Sequence, residues 1–274
     1  MKKSAARRRL LALLLAFLLP GVLSPAWAQD WARQRLDASP RHHEFVPVHA
    51  GSRTVQTFVV YPEVKQKAPV IVLIHEIFGL SDWAREMADE LAADGYIVVA
   101  PDLLSGSGPN GGGSSSFADQ DATMKAVSGL DPAQVTADLQ AVADYGKKLP
   151  AANGKLAVVG FCWGGGKSFA FATARPDLNA AFVFYGPPPE SSAMASIHAP
   201  VYGFYAGNDA RIGATVPGTV AAMKASGKTY EPVTYDGAGH GFMRAGEAPD
   251  AGPENKKARE EALARLESLL KGLR

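Results

Sequence analysis

Cys162 is the only cysteine among 274 residues, and it stands in the run Val158-Val159-Gly160-Phe161-Cys162-Trp163-Gly164-Gly165-Gly166. The run reads as a β-strand, a tight turn and a glycine-opened helix, in the G-x-nucleophile-x-G form of a nucleophile elbow with sulfur as the nucleophile. A side chain presented on so sharp a turn needs neighbours without bulk, so that strand and helix can close together. The helix N-terminus beneath it offers unpaired N–H groups to developing negative charge. A lone cysteine in an apolar stretch is more often a small buried hydrophobe, so the rest of the chain has to decide. Two further residues do so. Val201 to Ala206 is a strand-like run that opens into Gly207-Asn208-Asp209, and Tyr230 to Tyr235 is another that opens into Asp236-Gly237-Ala238-Gly239-His240-Gly241-Phe242. An acid and a histidine at strand ends, both after the cysteine, fit covalent acyl transfer. Cys162 would attack, His240 would move the proton, and Asp209 would hold the histidine's tautomer.

A fourth piece lies upstream. Val70-Ile71-Val72-Leu73-Ile74 is a five-residue apolar run, as a strand buried on both faces should be. It ends at His75-Glu76-Ile77-Phe78-Gly79-Leu80, just before a helix that begins near Ser81-Asp82. Nucleophile, acid and histidine in that order follow the pattern of α/β-hydrolase chains, in which this upstream loop passes over the nucleophile and lends an N–H to the oxyanion hole. The expected donors are the backbone N–H groups of Ile77 and Trp163.

On these residues, together with Ala100-Pro101-Asp102-Leu103, the chain resembles the dienelactone hydrolase (carboxymethylenebutenolidase) family from about Val55 to its C-terminal helix. The resemblance implies a single α/β-hydrolase fold, α/β in class, with a mostly parallel central sheet flanked by helices and no large lid. It implies hydrolysis of cyclic enol esters through an acyl-cysteine, without cofactor or metal. It also implies that Glu76 holds the resting thiol until substrate binds, and that Phe78, Phe242 and Arg244 contact the substrate. Two arginines usually grip the substrate carboxylate in that family. Arg244 fits one position, but Pro101-Asp102-Leu103-Leu104-Ser105-Gly106-Ser107-Gly108 carries no arginine at the other. A broad-specificity exported carboxylesterase is therefore the main alternative. A non-catalytic α/β-hydrolase-fold binding protein would predict a disabled triad, and a thiol redox protein would want a second cysteine.

Residues 1–28 read as a signal peptide. Lys2-Lys3 and Arg7-Arg8-Arg9 form a basic start, Leu10 to Leu19 an apolar core too short to span a bilayer, and Ala26-Trp27-Ala28 a cleavage site. The expected location is periplasmic or secreted, and a Sec or a twin-arginine route would each suit that start. A free thiol in an oxidising compartment is a liability, and catalysis is a reason to keep one. A net charge of +1 gives no basic face for nucleic acid or acidic lipid. A small-molecule ester or lactone is the expected partner, and a monomer the expected state.

Residues 29–50 look irregular, an N-terminal arm ahead of one α/β-hydrolase domain over 51–274. Strands are expected at Thr54–Tyr61, Val70–Ile74, Tyr96–Ala100, Leu156–Val159 and Ala181–Tyr185, besides the two that carry Asp209 and His240. Helices are expected at Trp83–Ala93, from Asp131-Pro132 to about Lys148, at Thr215–Ser226 and at Pro253–Leu273. Gly106 to Ser116 is Gly/Ser-rich and reads as a mobile rim. Strands alternating with helices put the site at the strands' C-terminal ends. The stretch between Tyr185 and Val201 is too short for a large lid.

Overall fold

Helix and strand alternate along the chain as its apolar runs dictate. In the computed structural model, which describes residues 29–274, helix α1 (Asp30–Asp37) precedes strands β1 (His43–Ala50), β2 (Arg53–Val60) and β3 (Ala68–Ile74). Helix α2 (Asp82–Ala93) and strand β4 (Ile97–Pro101) follow, then helices α3 (Gln120–Ser128) and α4 (Pro132–Lys148). Strand β5 (Ala152–Phe161) runs into helix α5 (Trp163–Ala174), and strand β6 (Ala180–Phe184) leads to β7 (Val201–Ala206). The chain ends with α6 (Ala210–Gly213), α7 (Val216–Ala225), β8 (Tyr230–Tyr235), α8 (Phe242–Ala245) and α9 (Pro253–Leu270). The signal-peptide reading of residues 1–28 lies outside the described residues.

The strands form one eight-stranded sheet in the order β1-β2-β4-β3-β5-β6-β7-β8. β1 and β2 are antiparallel to their neighbours, and from β4 to β8 every pair is parallel. Every residue of β3 is buried, because its side chains alternate between two covered faces. Ile71 and Leu73 join a core with α1, α2 and α9, while Val70, Val72 and Ile74 join one with α4, α5 and α7. On the first face aromatic rings stack beneath the strand ends. Phe184 lies 4.1 Å from Phe204 and 4.7 Å from Phe161, and Trp83 meets Phe161 edge-on at 5.1 Å. Burying each such ring contributes on the order of 2–3 kcal/mol, so the floor under the elbow is firm.

Residues 29–50 are not the irregular arm that the sequence suggests. Ala32 and Leu36 of α1 are buried on α2, and Gln29 Oε1 accepts from the backbone N–H of Trp83 at 2.8 Å. Arg35 pairs with the buried Glu247, which also accepts from the Trp83 indole N–H at 2.9 Å. β1 pairs with β2 along its whole length. Pro47 disguises it, but β1 is the edge strand, where a missing N–H costs no ladder bond. The domain therefore begins before residue 51.

The Gly/Ser segment is likewise tied down. Ser114 donates to the buried Asp102 carboxylate through its backbone N–H (2.7 Å) and its Oγ (2.6 Å), and its Oγ accepts from Leu80 N–H at 2.9 Å. After it comes α3, which the pattern reading does not anticipate because only Thr123 and Val127 face inward. Its available signal is Asp119, whose side chain caps the helix by accepting from Ala122 N–H at 2.8 Å. Between β6 and β7 stands only a short turn of 3-10 helix, Ser191–Ser196, and no large lid.

Candidate active site

The turn at Cys162 is as sharp as the glycine pattern requires. Cys162 has φ 56° and ψ −116°, a conformation that L-residues avoid. The strand and helix it joins are in backbone contact. A Cβ on Gly160 would lie 2.0 Å from the Gly164 carbonyl oxygen, and a Cβ on Gly164 would lie 2.4 Å from the carbonyl oxygens of Ile74 and His75 at the end of β3. Only glycine fits there, and the sulfur is held above the ends of β3 and β5.

His240 Nε2 lies 3.0 Å from Cys162 Sγ, across 78 residues of sequence, and His240 Nδ1 lies 2.5 Å from Asp209 Oδ2. A carboxylate only accepts, so Nδ1 carries the proton and Nε2 is free to take one from sulfur. The other Asp209 oxygen accepts from Ile212 N–H at 3.2 Å and caps α6. The two loops are stitched together behind the pair: Gly207 N–H donates to Tyr235 C=O and Asn208 N–H to Ala238 C=O, each at 2.9 Å. Gly241, at φ 77°, turns the chain from His240 into α8 and brings Arg244 back over the site.

Hydrogen bonding from the backbone N–H groups of Trp163 and Ile77 favours the ionised form of the Cys162 thiol. They are the two groups expected as oxyanion donors. Burial, aided by the negative charge of Glu76, nevertheless holds the thiol above its ordinary pKa. The guanidinium of Arg211 opposes this. That exposed residue in α6, two places after Asp209, goes unnoticed in the sequence because nothing in its type or spacing marks it.

Glu76 does not grip the thiol as the resemblance implied. Its carboxylate is buried, with Oε2 accepting from Arg244 Nε at 2.7 Å and Oε1 from the Tyr185 hydroxyl at 3.5 Å. It reaches the sulfur as a charge, not as a hydrogen-bond partner. Burial pushes the Glu76 carboxyl above its ordinary pKa, while Arg244 pulls it back. Arg244 also lies over the ring of Phe78 at 4.8 Å. Both line a cavity of about 770 Å³ with Trp31, Gln120 and Asn255, so α1 contributes a wall that the sequence reading missed.

The resemblance puts Phe242 against the substrate, and the fold puts it in the core. It is fully buried and cannot touch a substrate. Its ring packs against Tyr185 at 5.2 Å, and Tyr185 in turn meets the His240 ring edge-on at 5.1 Å. Phe242 therefore buttresses the histidine from behind. Tyr185, with φ 40° at the end of β6, has no motif to announce it.

A mostly parallel sheet with a sharp, glycine-flanked strand-to-helix turn at the end of β5, and an acid and a histidine after β7 and β8, defines an α/β-hydrolase-fold enzyme. The sequence pattern of the dienelactone hydrolase family matches residues 55–273, and the chain belongs to that family. It is 33% identical over 187 residues to a Salmonella typhi protein provisionally named carboxymethylenebutenolidase, covering 64% of this chain and 67% of that one. It is 29% identical over 187 residues to the carboxymethylenebutenolidase of Pseudomonas putida, covering 66% of this chain and 77% of that one. A crystal structure from Klebsiella pneumoniae, provisionally named a dienelactone hydrolase, superposes with a TM-score of 0.70 at 27% identity over 82% of this chain and 97% of that one. The protein is a hydrolase of the ester- and lactone-cleaving kind. No helix among the described residues is long and apolar enough to cross a membrane.

Proposed function

We propose that this chain is an exported cysteine-dependent hydrolase that cleaves activated esters and lactones through an acyl-cysteine. The observation that carries the reading is Cys162 Sγ, set 3.0 Å from His240 Nε2 with two backbone N–H groups aimed at it. The thiol gives its proton to His240 Nε2 as sulfur attacks the carbonyl carbon. The C=O electron pair moves to oxygen, which the Ile77 and Trp163 N–H groups receive. Collapse breaks the acyl C–O bond, and the leaving oxygen takes the proton from His240. Water, deprotonated by His240, then attacks the thioester, the C–S bond breaks, and the sulfur regains its proton.

Sulfur limits the substrates. A thiolate leaves readily, so the tetrahedral intermediate reverts unless the departing oxygen is a good leaving group. Enol lactones, aryl esters and thioesters are favoured over alkyl esters and amides. The names of the relatives support enol lactones. Arg244 supports an anionic substrate, whose carboxylate would compete with Glu76 for the guanidinium. The rim without arginine and the cavity beside Arg244 support the second reading, a broader esterase. Export rests on the signal-peptide pattern of residues 1–28, and N-terminal sequencing of periplasmic or secreted protein tests it.

A panel of dienelactones, aryl esters and thioesters on the mature protein decides between the two readings. Arg244→Gln retains a donor for Glu76 but no charge. It should raise KM for an anionic lactone about tenfold more than for an uncharged aryl ester. Equal changes on both substrates would remove Arg244 from substrate recognition.

Glu76→Gln keeps the shape and removes the negative charge that disfavours the thiolate. The thiol pKa should fall, so the pH profile of iodoacetamide alkylation should shift to lower pH and peroxide inactivation should quicken at fixed pH. An unchanged alkylation profile would mean that Glu76 does not tune the sulfur.

A further inference from the structure

His75 is a buried titratable side chain beside the nucleophile to which the mechanism above assigns no part. It ends the loop entry from β3, one residue before Glu76, and is fully buried. Its Nδ1 lies 2.7 Å from the backbone oxygen of Glu76. A carbonyl only accepts, so the proton sits on Nδ1 and is donated to that oxygen.

The consequence follows from peptide geometry. The Glu76 C=O and the Ile77 N–H are opposite ends of one planar amide, and the Ile77 N–H is one of the two groups aimed at Sγ. Holding the oxygen therefore sets the direction of the N–H. Donation to the oxygen also polarises the amide and strengthens the N–H as a donor. The face of the imidazole lies on Trp163, with ring centroids 5.6 Å apart and planes 10° apart. Trp163 carries the other N–H, so one side chain meets both the Glu76–Ile77 peptide and Trp163.

Packing alone does not explain an imidazole here. His75 Nε2 is buried without a hydrogen-bond partner among the described residues, and a buried acceptor left unpaired lowers stability. Phenylalanine would stack on Trp163 with no such cost. Burial also lowers the pKa of His75, which keeps the ring neutral and leaves Nδ1 as its single donor.

We propose that His75 is a positioning residue of the oxyanion hole, orienting the Glu76–Ile77 peptide through its Nδ1–H and bracing Trp163 with its ring. This rests on the acyl-cysteine reading above and deepens it.

Two substitutions in the mature chain separate the donor from the ring. His75→Phe keeps the stack and loses the donor. His75→Asn loses the stack but places an amide N–H where Nδ1 stood. His75→Phe should lower kcat on an aryl ester by about 10- to 100-fold with little change in KM. It should weaken reversible inhibition by an aldehyde to a similar degree, because adding the thiol across C=O places the oxygen in the hole. Iodoacetamide alkylation of Cys162, which needs no oxyanion, should change far less. His75→Asn should recover most of the kcat.

The proposal fails if His75→Phe keeps its kcat, if aldehyde inhibition and alkylation fall together, or if His75→Asn is no better than His75→Phe. If neither variant folds, the ¹⁵N resonances of His75 in the unmodified protein decide. A proton on Nδ1 throughout pH 5–8 supports the assignment, and a proton on Nε2 overturns it. Failure of the underlying nucleophile reading looks different, because aldehyde then leaves the unmodified enzyme uninhibited.

Discussion

Cys162→Ala is expected to lower kcat/KM on any activated ester by at least about 10⁴-fold and to abolish the covalent adduct. The size follows from the chemistry that one atom carries. In the proposed mechanism sulfur is the attacking group and the acyl chain travels on it between two half-reactions, so without it there is no second route through the site. Intact-protein mass spectrometry with a slowly deacylating ester should show one acyl group on the unmodified enzyme and none on the variant. Labelling of another residue, or retained turnover, would overturn the assignment. Cys162→Ser is a finer test. The elbow would hold a hydroxyl at φ 56° as readily as a thiol, yet serine is far less acidic, and His240 and Asp209 are set for sulfur. A large loss is expected although the shape is nearly unchanged.

Asp209→Asn should cost about 10⁴-fold in kcat while leaving the fold nearly intact. The reason lies in which atoms can donate. Asp209 accepts at both oxygens, from His240 Nδ1–H on one side and from Ile212 N–H on the other. Asparagine can still cap α6 through its oxygen, which turns its NH₂ toward His240. Nδ1 must then accept, and the imidazole proton moves to Nε2, the atom that has to take the thiol's proton. The histidine becomes the wrong tautomer for its task. Thermal unfolding should show little change beside the collapse in kcat. Activity within tenfold of the unmodified enzyme would remove Asp209 from the triad.

Much of the site was legible in sequence because its members occupy points where local rules speak. Gly160, Gly164 and Gly165 around a single cysteine mark a turn that bulk forbids. Asp209 and His240 each end a short apolar run, and strand ends are where a parallel sheet exposes side chains. Ile77 and Trp163 are expected as donors because their contribution would come from the backbone, which the motif itself places. Phe242 was misplaced for the complementary reason. Its neighbour His240 faces the site, but whether the next-but-one ring faces substrate or core depends on Gly241's positive φ and on Tyr185, which is distant in sequence. Pro47 hid β1 because the cost of its missing N–H depends on whether a strand lies at the edge, and edge position is a property of the sheet.

By itself, the sequence determined the glycine-flanked cysteine, the order of the strand-end acid and histidine, the alternation of strand and helix, and hence the family. All of these are encoded over a few residues by steric and hydrophobic patterns. Tertiary structure alone decided which charges meet. Arg244 lies 168 residues from Glu76 and pairs with it, not with a free carboxylate site, while Arg211 sends its field to the sulfur from α6. It also decided that α1 walls the cavity beside Arg244 and that His75 spends its proton on the peptide that aims Ile77. Coulomb interactions and desolvation depend on distance and burial in space, and neither quantity can be read from separation along the chain.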